Sequence, residues 1–147
     1  MSAVIREATR ADIPRVWELI LELAEFERLR HCVVGSLAEL DQHYERAYWL
    51  HVAEVDGEVV GYALWFTNFS TFLTRPGLYL EDIYVSPSVR GQGIGKAMLH
   101  GLIETARSRG YGRVEWSVLD WNQSAIDFYR SQGADVLEDW RICRVSL

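Results

Sequence analysis

Arg90-Gly91-Gln92-Gly93-Ile94-Gly95-Lys96-Ala97-Met98-Leu99 decides the reading of this 147-residue chain. Its three glycines stand at alternate positions, where the β-prone segment Leu78 to Val85 gives way to a helical pattern. In that pattern Met98, Leu99, Leu102, Ile103 and Ala106 recur at helical spacing until Gly110 ends it. Glycine lets the backbone approach a ligand closely, and the unpaired N–H groups of a helix's first turn favour an anion such as a pyrophosphate. Tight packing needs glycine as well, so the turn alone leaves both readings open. Counting removes two familiar motifs. A phosphate-binding P-loop needs four residues between its glycines followed by Lys-Ser/Thr, whereas Gly91 and Gly95 enclose three and Lys96 precedes Ala97. A dinucleotide fingerprint needs G-x-G-x-x-G in a parallel βαβ unit. Here the spacing is G-x-G-x-G, and the strands before it read as antiparallel.

Upstream, Leu50 to Val55 alternates as a strand, Asp56-Gly57 is a hairpin turn, and Glu58 to Thr67 returns as the partner. Val4 to Glu7 reads as a first strand. Thr9, Arg10 and Asp12 then supply capping chemistry for a helix in which Ile13, Val16, Trp17, Ile20, Leu23 and Ala24 recur through about Leu29. Ser36 is expected to cap a second helix running to about Tyr48. Downstream, Arg113 to Leu119 reads as a strand, Asn122 to Gln132 as a short helix, and Val136 to Ser146 as one or two closing strands. The order is β-α-α-β-β-β-α-β-α-β, an α+β sheet with helices on its faces and one domain spanning residues 1–147.

Composition bounds the function. With 49% hydrophobic and 24% charged residues the chain is an ordinary globular sequence, which excludes intrinsic disorder. Its net charge of −6 argues against nucleic acid as partner, because that affinity comes from a basic patch. Residues 1–81 carry 13 acidic and 7 basic side chains and residues 82–147 carry 8 of each. An acidic half beside a balanced half suits a cationic ligand on one side and a phosphate ligand on the other, and suits solvated helix faces equally. The longest run free of Asp, Glu, Lys and Arg, Val59 to Thr74, covers 16 residues, too few to span a membrane. MSAVIREATR lacks the pattern of a secretion signal, so a cytoplasmic location is expected. Cys32 and Cys143 read as reduced thiols, and the four histidines show no metal-ligand spacing, so no metal is expected.

Arg90-x-x-Gly93-x-Gly95 matches the (Q/R)-x-x-G-x-(G/A) turn of the Gcn5-related N-acetyltransferases, and the sequence resembles that superfamily in element order from about residue 4 to 145. LYLEDIYV before the turn, N-x-x-A-I-x-F-Y at Asn122 to Tyr129, Gly133-Ala134 and Trp140-Arg141 resemble the diamine (spermidine/spermine) and thialysine N-acetyltransferases in particular. The resemblance implies the GNAT fold, a mixed, mostly antiparallel twisted sheet with helices on both faces. It implies acetyl-CoA as acetyl donor and a small cationic amine (polyamine, diamine or lysine analogue) as acceptor. A protein or peptide amine in the same fold, and a non-catalytic acyl-CoA-binding module, are the alternatives. The backbone of Gly91, Gln92, Gly93, Ile94, Gly95 and Lys96, with Arg90, would hold the pyrophosphate. Ile83, Tyr84 and Val85 would pair with the pantetheine arm, and Asn122, Ser124, Ala125 and Tyr129 would also lie on the cofactor. Members of the family commonly dimerise through C-terminal strands, so a homodimer is expected.

Two side chains are expected to carry the chemistry. An alkylamine with a pKa near ~10.4 is almost wholly protonated at pH 7, so acetyl transfer needs a base. Glu81, central in the strand before the turn, is placed to accept that proton directly or through water. Tyr129 matches the family's general acid, which protonates the leaving thiolate. For the acceptor, the resemblance points to Glu27, Glu81, Asp82, Glu115, Trp116, Ser117, Glu138 and Trp140. Trp140 suits a methylene chain, a cation-π contact with an ammonium, or plain core packing.

Overall fold

A computed structural model describes residues 2–147, which divide into two compact units, one ending at Trp116 and one comprising Ser117–Leu147; Met1 lies outside the described residues. The first unit runs β1 (Val4–Glu7), α1 (Ile13–Phe26), α2 (Leu37–His43), β2 (Trp49–Val55), β3 (Glu58–Ser70), β4 (Arg75–Val85), α3 (Ile94–Ser108) and β5 (Val114–Glu115). The strands form one sheet in the order β1-β2-β3-β4-β5, antiparallel except for the parallel β4–β5 pair.

Local chemistry sets these elements. Before α1, the Thr9 N–H donates to Asp12 Oδ2 at 2.8 Å, and Arg6 binds Asp12 at 2.8 Å and Glu54 of β2 at 3.2 Å. The β2–β3 hairpin turns through Asp56 and Gly57, both at positive φ (51° and 79°), as a two-residue hairpin turn of the favoured hand requires. Ile13, Val16 and Leu19 of α1 are fully buried against Leu50, Val52, Tyr62 and Tyr84 of the sheet. Gly61 faces the other way: a Cβ there would stand 3.5 Å from Met98 Sδ of α3. Neighbouring strand residues point to opposite faces, so α1 and α3 cover the two sides of the sheet.

Four expectations are corrected by the structure. The first helix ends at Phe26 rather than Leu29, because Arg28 turns into the left-handed region at φ 61° and the Leu29 N–H closes back on the Ala24 carbonyl. The second ends at His43 rather than Tyr48. Tyr44 turns extended so that its hydroxyl donates to the Ala8 carbonyl at 2.8 Å, and Tyr48 donates to the Leu40 carbonyl. Burying two tyrosines with satisfied hydroxyls outweighs another helical turn. Of Arg113 to Leu119 only Val114 and Glu115 are strand, paired with Leu78 and Tyr79 of β4.

The second unit holds α4 (Gln123–Ser131). Asn122 caps it, its Oδ1 accepting from the Ala125 N–H at 3.4 Å and the Ser124 hydroxyl at 3.3 Å, and Gly133 at φ 90° follows its end. The fourth correction lies here: residues 134–147 contain neither helix nor strand. A strand exists only where a neighbouring backbone completes its ladder.

Candidate active site

The strand β4 carries the centre of the predicted site and is irregular at the expected place. Its register against β3 passes from Leu64 opposite Asp82 to Trp65 opposite Leu80, leaving Glu81 without a partner, a β-bulge at the position LYLEDIYV predicts for the base. A bulge bends its strand and re-aims the side chains beside it. On the opposite edge β4 pairs with β5 only at Leu78 and Tyr79. Beyond them, among the described residues, Leu80 to Val85 meet no strand on that side, so Ile83, Tyr84 and Val85 lie on a sheet edge without a strand beside it.

The glycine turn follows directly. Gly91 (φ 83°) and Gly93 (φ 76°) are left-handed, and nothing lies within 4 Å of where their Cβ atoms would stand. Gly93 is the N-cap of α3, and the first helical bond runs from the Ala97 N–H to its carbonyl, so the N–H groups of Ile94, Gly95 and Lys96 belong to the first turn. The site is thus an open cradle of backbone donors at a positive helix end, and it fits a pyrophosphate. A Cβ on Gly95 would touch Val85 Cγ2 at 3.8 Å, which keeps the turn against the end of β4. The Arg90 side chain is turned onto the protein instead. Its Nε donates to the Val85 carbonyl at 3.0 Å, and its guanidinium lies 5.3 Å from the Phe26 ring centre and 5.5 Å from that of Tyr84.

Toward α1 the site is acidic. Asp82 shares a face of the sheet with Leu64, Tyr62 and Tyr84, the face that α1 covers. Burial pushes its carboxyl up to about 6; the Tyr62 hydroxyl, donating to Asp82 Oδ2 at 3.0 Å, pulls it back, and the charges of Glu81 and Glu27 raise it. Burial also raises Glu27, just after α1. Tyr84 donates to Glu22 Oε1 at 3.2 Å, and Glu22 is 3.7 Å from Arg15. Glu81 itself is exposed. Glu115 lies in β5 with Arg113 Nε 3.1 Å from its Oε1, and Trp116 is half-buried beside it.

Within the second unit, Tyr129 is half-buried on α4 with its ring 5.6 Å from that of Phe128. Ser117 and Trp140 are exposed, and Glu138 is exposed with Arg130 Nη2 3.5 Å away. The structure therefore brings Glu27, Glu81, Asp82, Ile83 to Val85 and the glycine turn together in the first unit. Sequence reasoning missed Tyr62. Its signal is a single hydroxyl inside the otherwise apolar run VVGYALW, in the strand that pairs with LYLED.

A strand edge, a bulge at Glu81 beside Asp82, and a left-handed glycine turn into a helix are the features with which the comparisons agree. The profile of the acetyltransferase (GNAT) family matches residues 6–134, and the chain belongs to that family. It is 40% identical to the thialysine N-epsilon-acetyltransferase of Mus musculus, over 94% of this chain and 87% of that protein. It is 30% identical to the L-ornithine N5-acetyltransferase of Arabidopsis thaliana, over 99% and 85%. Among solved structures, an acetyltransferase of Trypanosoma brucei superposes with a TM-score of 0.76 at 27% identity, covering 99% of this chain and 100% of that one.

Proposed function

We propose that the protein transfers acetyl from acetyl-CoA to a primary amine of a small cationic acceptor, a diamine, a polyamine or a lysine-like amino acid, and that residues 1–147 act as one catalytic domain. The observation that carries this reading is the acidic pair Glu81-Asp82 at the β4 bulge, immediately before an unpaired edge and the glycine turn. The names of the mouse and Arabidopsis relatives, whose acceptors are thialysine and ornithine, support an amine of this class.

Acetyl-CoA supplies an activated acetyl thioester. The first-turn N–H groups of α3 bind its phosphates, and the backbone of Ile83 to Val85 orients its pantetheine arm along β4. Glu81 takes the proton of the acceptor ammonium directly or through water, leaving the amine lone pair free to attack. As the nitrogen bonds to the acetyl carbon and the C–S bond breaks, Tyr129 would give its hydroxyl proton to the departing thiolate and its phenolate would take back the surplus proton that the acetylated nitrogen sheds. Asp82 and Glu27 hold the acceptor's positive charge, as do Glu115, Trp116, Ser117, Glu138 and Trp140 where the acceptor reaches them. We infer a homodimer as the working form.

A thiol-release assay with acetyl-CoA over a panel of thialysine, ornithine, lysine, diaminobutane, spermidine and a lysine-containing peptide tests the function. Turnover of one or more free amines above the peptide is the expected result. Acetyl-CoA binding without turnover of any amine overturns the enzyme reading, and preference for the peptide overturns the small-amine reading.

A further inference from the structure

Tyr62 is 0% exposed, in the middle of β3, with α1 packed across it. A buried hydroxyl without a partner is costly, and phenylalanine would fill the same space without that cost. The Tyr62 hydroxyl is satisfied by Asp82 Oδ2 at 3.0 Å. The charges of Glu81 on its own strand and of Glu27 just after α1 also act on Asp82, and both are negative. Tyr84, the next residue on that face, donates to Glu22; Arg15 is paired with Glu18 and Glu22, and Arg90 donates to the Val85 carbonyl. The Asp82 carboxylate thus lies on the α1 side of the sheet, fixed by a buried phenol, with the negative charge of Glu27 acting on it. A carboxylate desolvated among negative neighbours gains most from a ligand that brings a cation.

We propose that Tyr62 is a positioning residue for the acceptor: its hydroxyl, donating to Asp82 Oδ2, fixes the Asp82 carboxylate against the acceptor's second, cationic nitrogen. This rests on the amine-acetylating reading above and names a residue that positions its acceptor. The attacking nitrogen is uncharged when it reacts, so the Asp82 carboxylate is matched by the acceptor's other, protonated nitrogen. The hydrogen bond favours the charged form of Asp82; its loss pushes the carboxyl further up, and a protonated Asp82 no longer holds an ammonium.

Tyr62→Phe tests the proposal in two independent readouts. With the free protein and no substrate, carbon-13 NMR of labelled aspartate follows the Asp82 titration. Its midpoint is expected to move at least about half a pH unit upward in the variant; an unmoved midpoint overturns the role of Tyr62. In kinetics, KM for a diamine is expected to rise about tenfold at pH 7, the loss of one hydrogen bond to a charged group, with its acidic limb shifted to higher pH, while KM for a monoamine of equal length and the acetyl-CoA affinity stay within about twofold. Equal losses for diamine and monoamine overturn the selectivity. Should the variant fold poorly, calorimetry of wild-type protein with the diamine at pH 5 and pH 7.5 decides instead: binding is expected to weaken at pH 5, and pH-independent binding overturns it. If no amine is acetylated, the functional reading falls, while the NMR titration still judges the Tyr62–Asp82 pair.

Discussion

Neighbouring carboxylates in LYLED have opposite environments. Glu81, in the bulge, is exposed; Asp82, one residue on, is half-buried and accepts a hydrogen bond from the buried Tyr62. Removing each charge is therefore expected to do different things. Glu81→Gln deletes the proton acceptor, so turnover should fall steeply near pH 7 and partly recover at higher pH, where more amine is already neutral; a flat pH profile in the variant removes Glu81 from the base role. Asp82→Asn should instead stabilise the fold. The folded carboxyl is pushed from 3.8 up to about 6, chiefly by burial, so its contribution to stability is fully present below about pH 4 and is lost as pH rises through 6. The asparagine variant escapes that loss. Chemical denaturation should find the two proteins equally stable at pH 4 and the variant ahead above pH 6.5, by at most about 3 kcal/mol. A variant less stable than wild type at pH 7.5 contradicts the buried, charge-burdened picture of Asp82.

Among the elements, α4 stakes the most on one residue. Tyr129→Phe leaves its helix and the Asn122 cap in place and removes a single proton donor. Turnover should fall ~10²- to 10⁴-fold with acetyl-CoA affinity little changed, read by steady-state kinetics and calorimetry; unaltered turnover excludes Tyr129 from the chemistry. The elements were legible in the sequence wherever a local rule governs them. Asp56-Gly57 marks its hairpin, the glycines mark the start of α3, and Asn122 marks the start of α4. Illegible were the features that distant contacts impose. Tyr44 and Tyr48 leave the helical path because the Ala8 and Leu40 carbonyls await their hydroxyls. Val114 and Glu115 alone are strand because Leu78 and Tyr79 alone pair with them. At the site, LYLED announced its carboxylates, yet only the register against β3 reveals which lies in the bulge and which meets Tyr62.

For the whole molecule, the C-terminal stretch is where sequence pattern and isolated chain part. Val136 to Ser146 has the side chains of a strand, yet it forms none. Trp140 is 76% exposed, Ile142 71% and Val145 86%, a concentration of bare apolar surface unusual for a protein alone in water. Backbone groups with no ladder beside side chains suited to a sheet form the edge that natural proteins pair or cover. The occupant we propose is the same stretch or edge of a second copy, which supplies backbone partners and apolar cover together. The full chain is accordingly expected to sediment as a dimer at micromolar concentration. Ile142→Arg, which sets a charge in the exposed apolar stretch while leaving the residues of the first unit unchanged, should shift it toward monomer and leave the circular dichroism of α1 and α3 intact. A wild-type chain that sediments as a monomer at about 100 μM, or an Ile142→Arg variant that stays fully dimeric, would show that the tail serves another purpose.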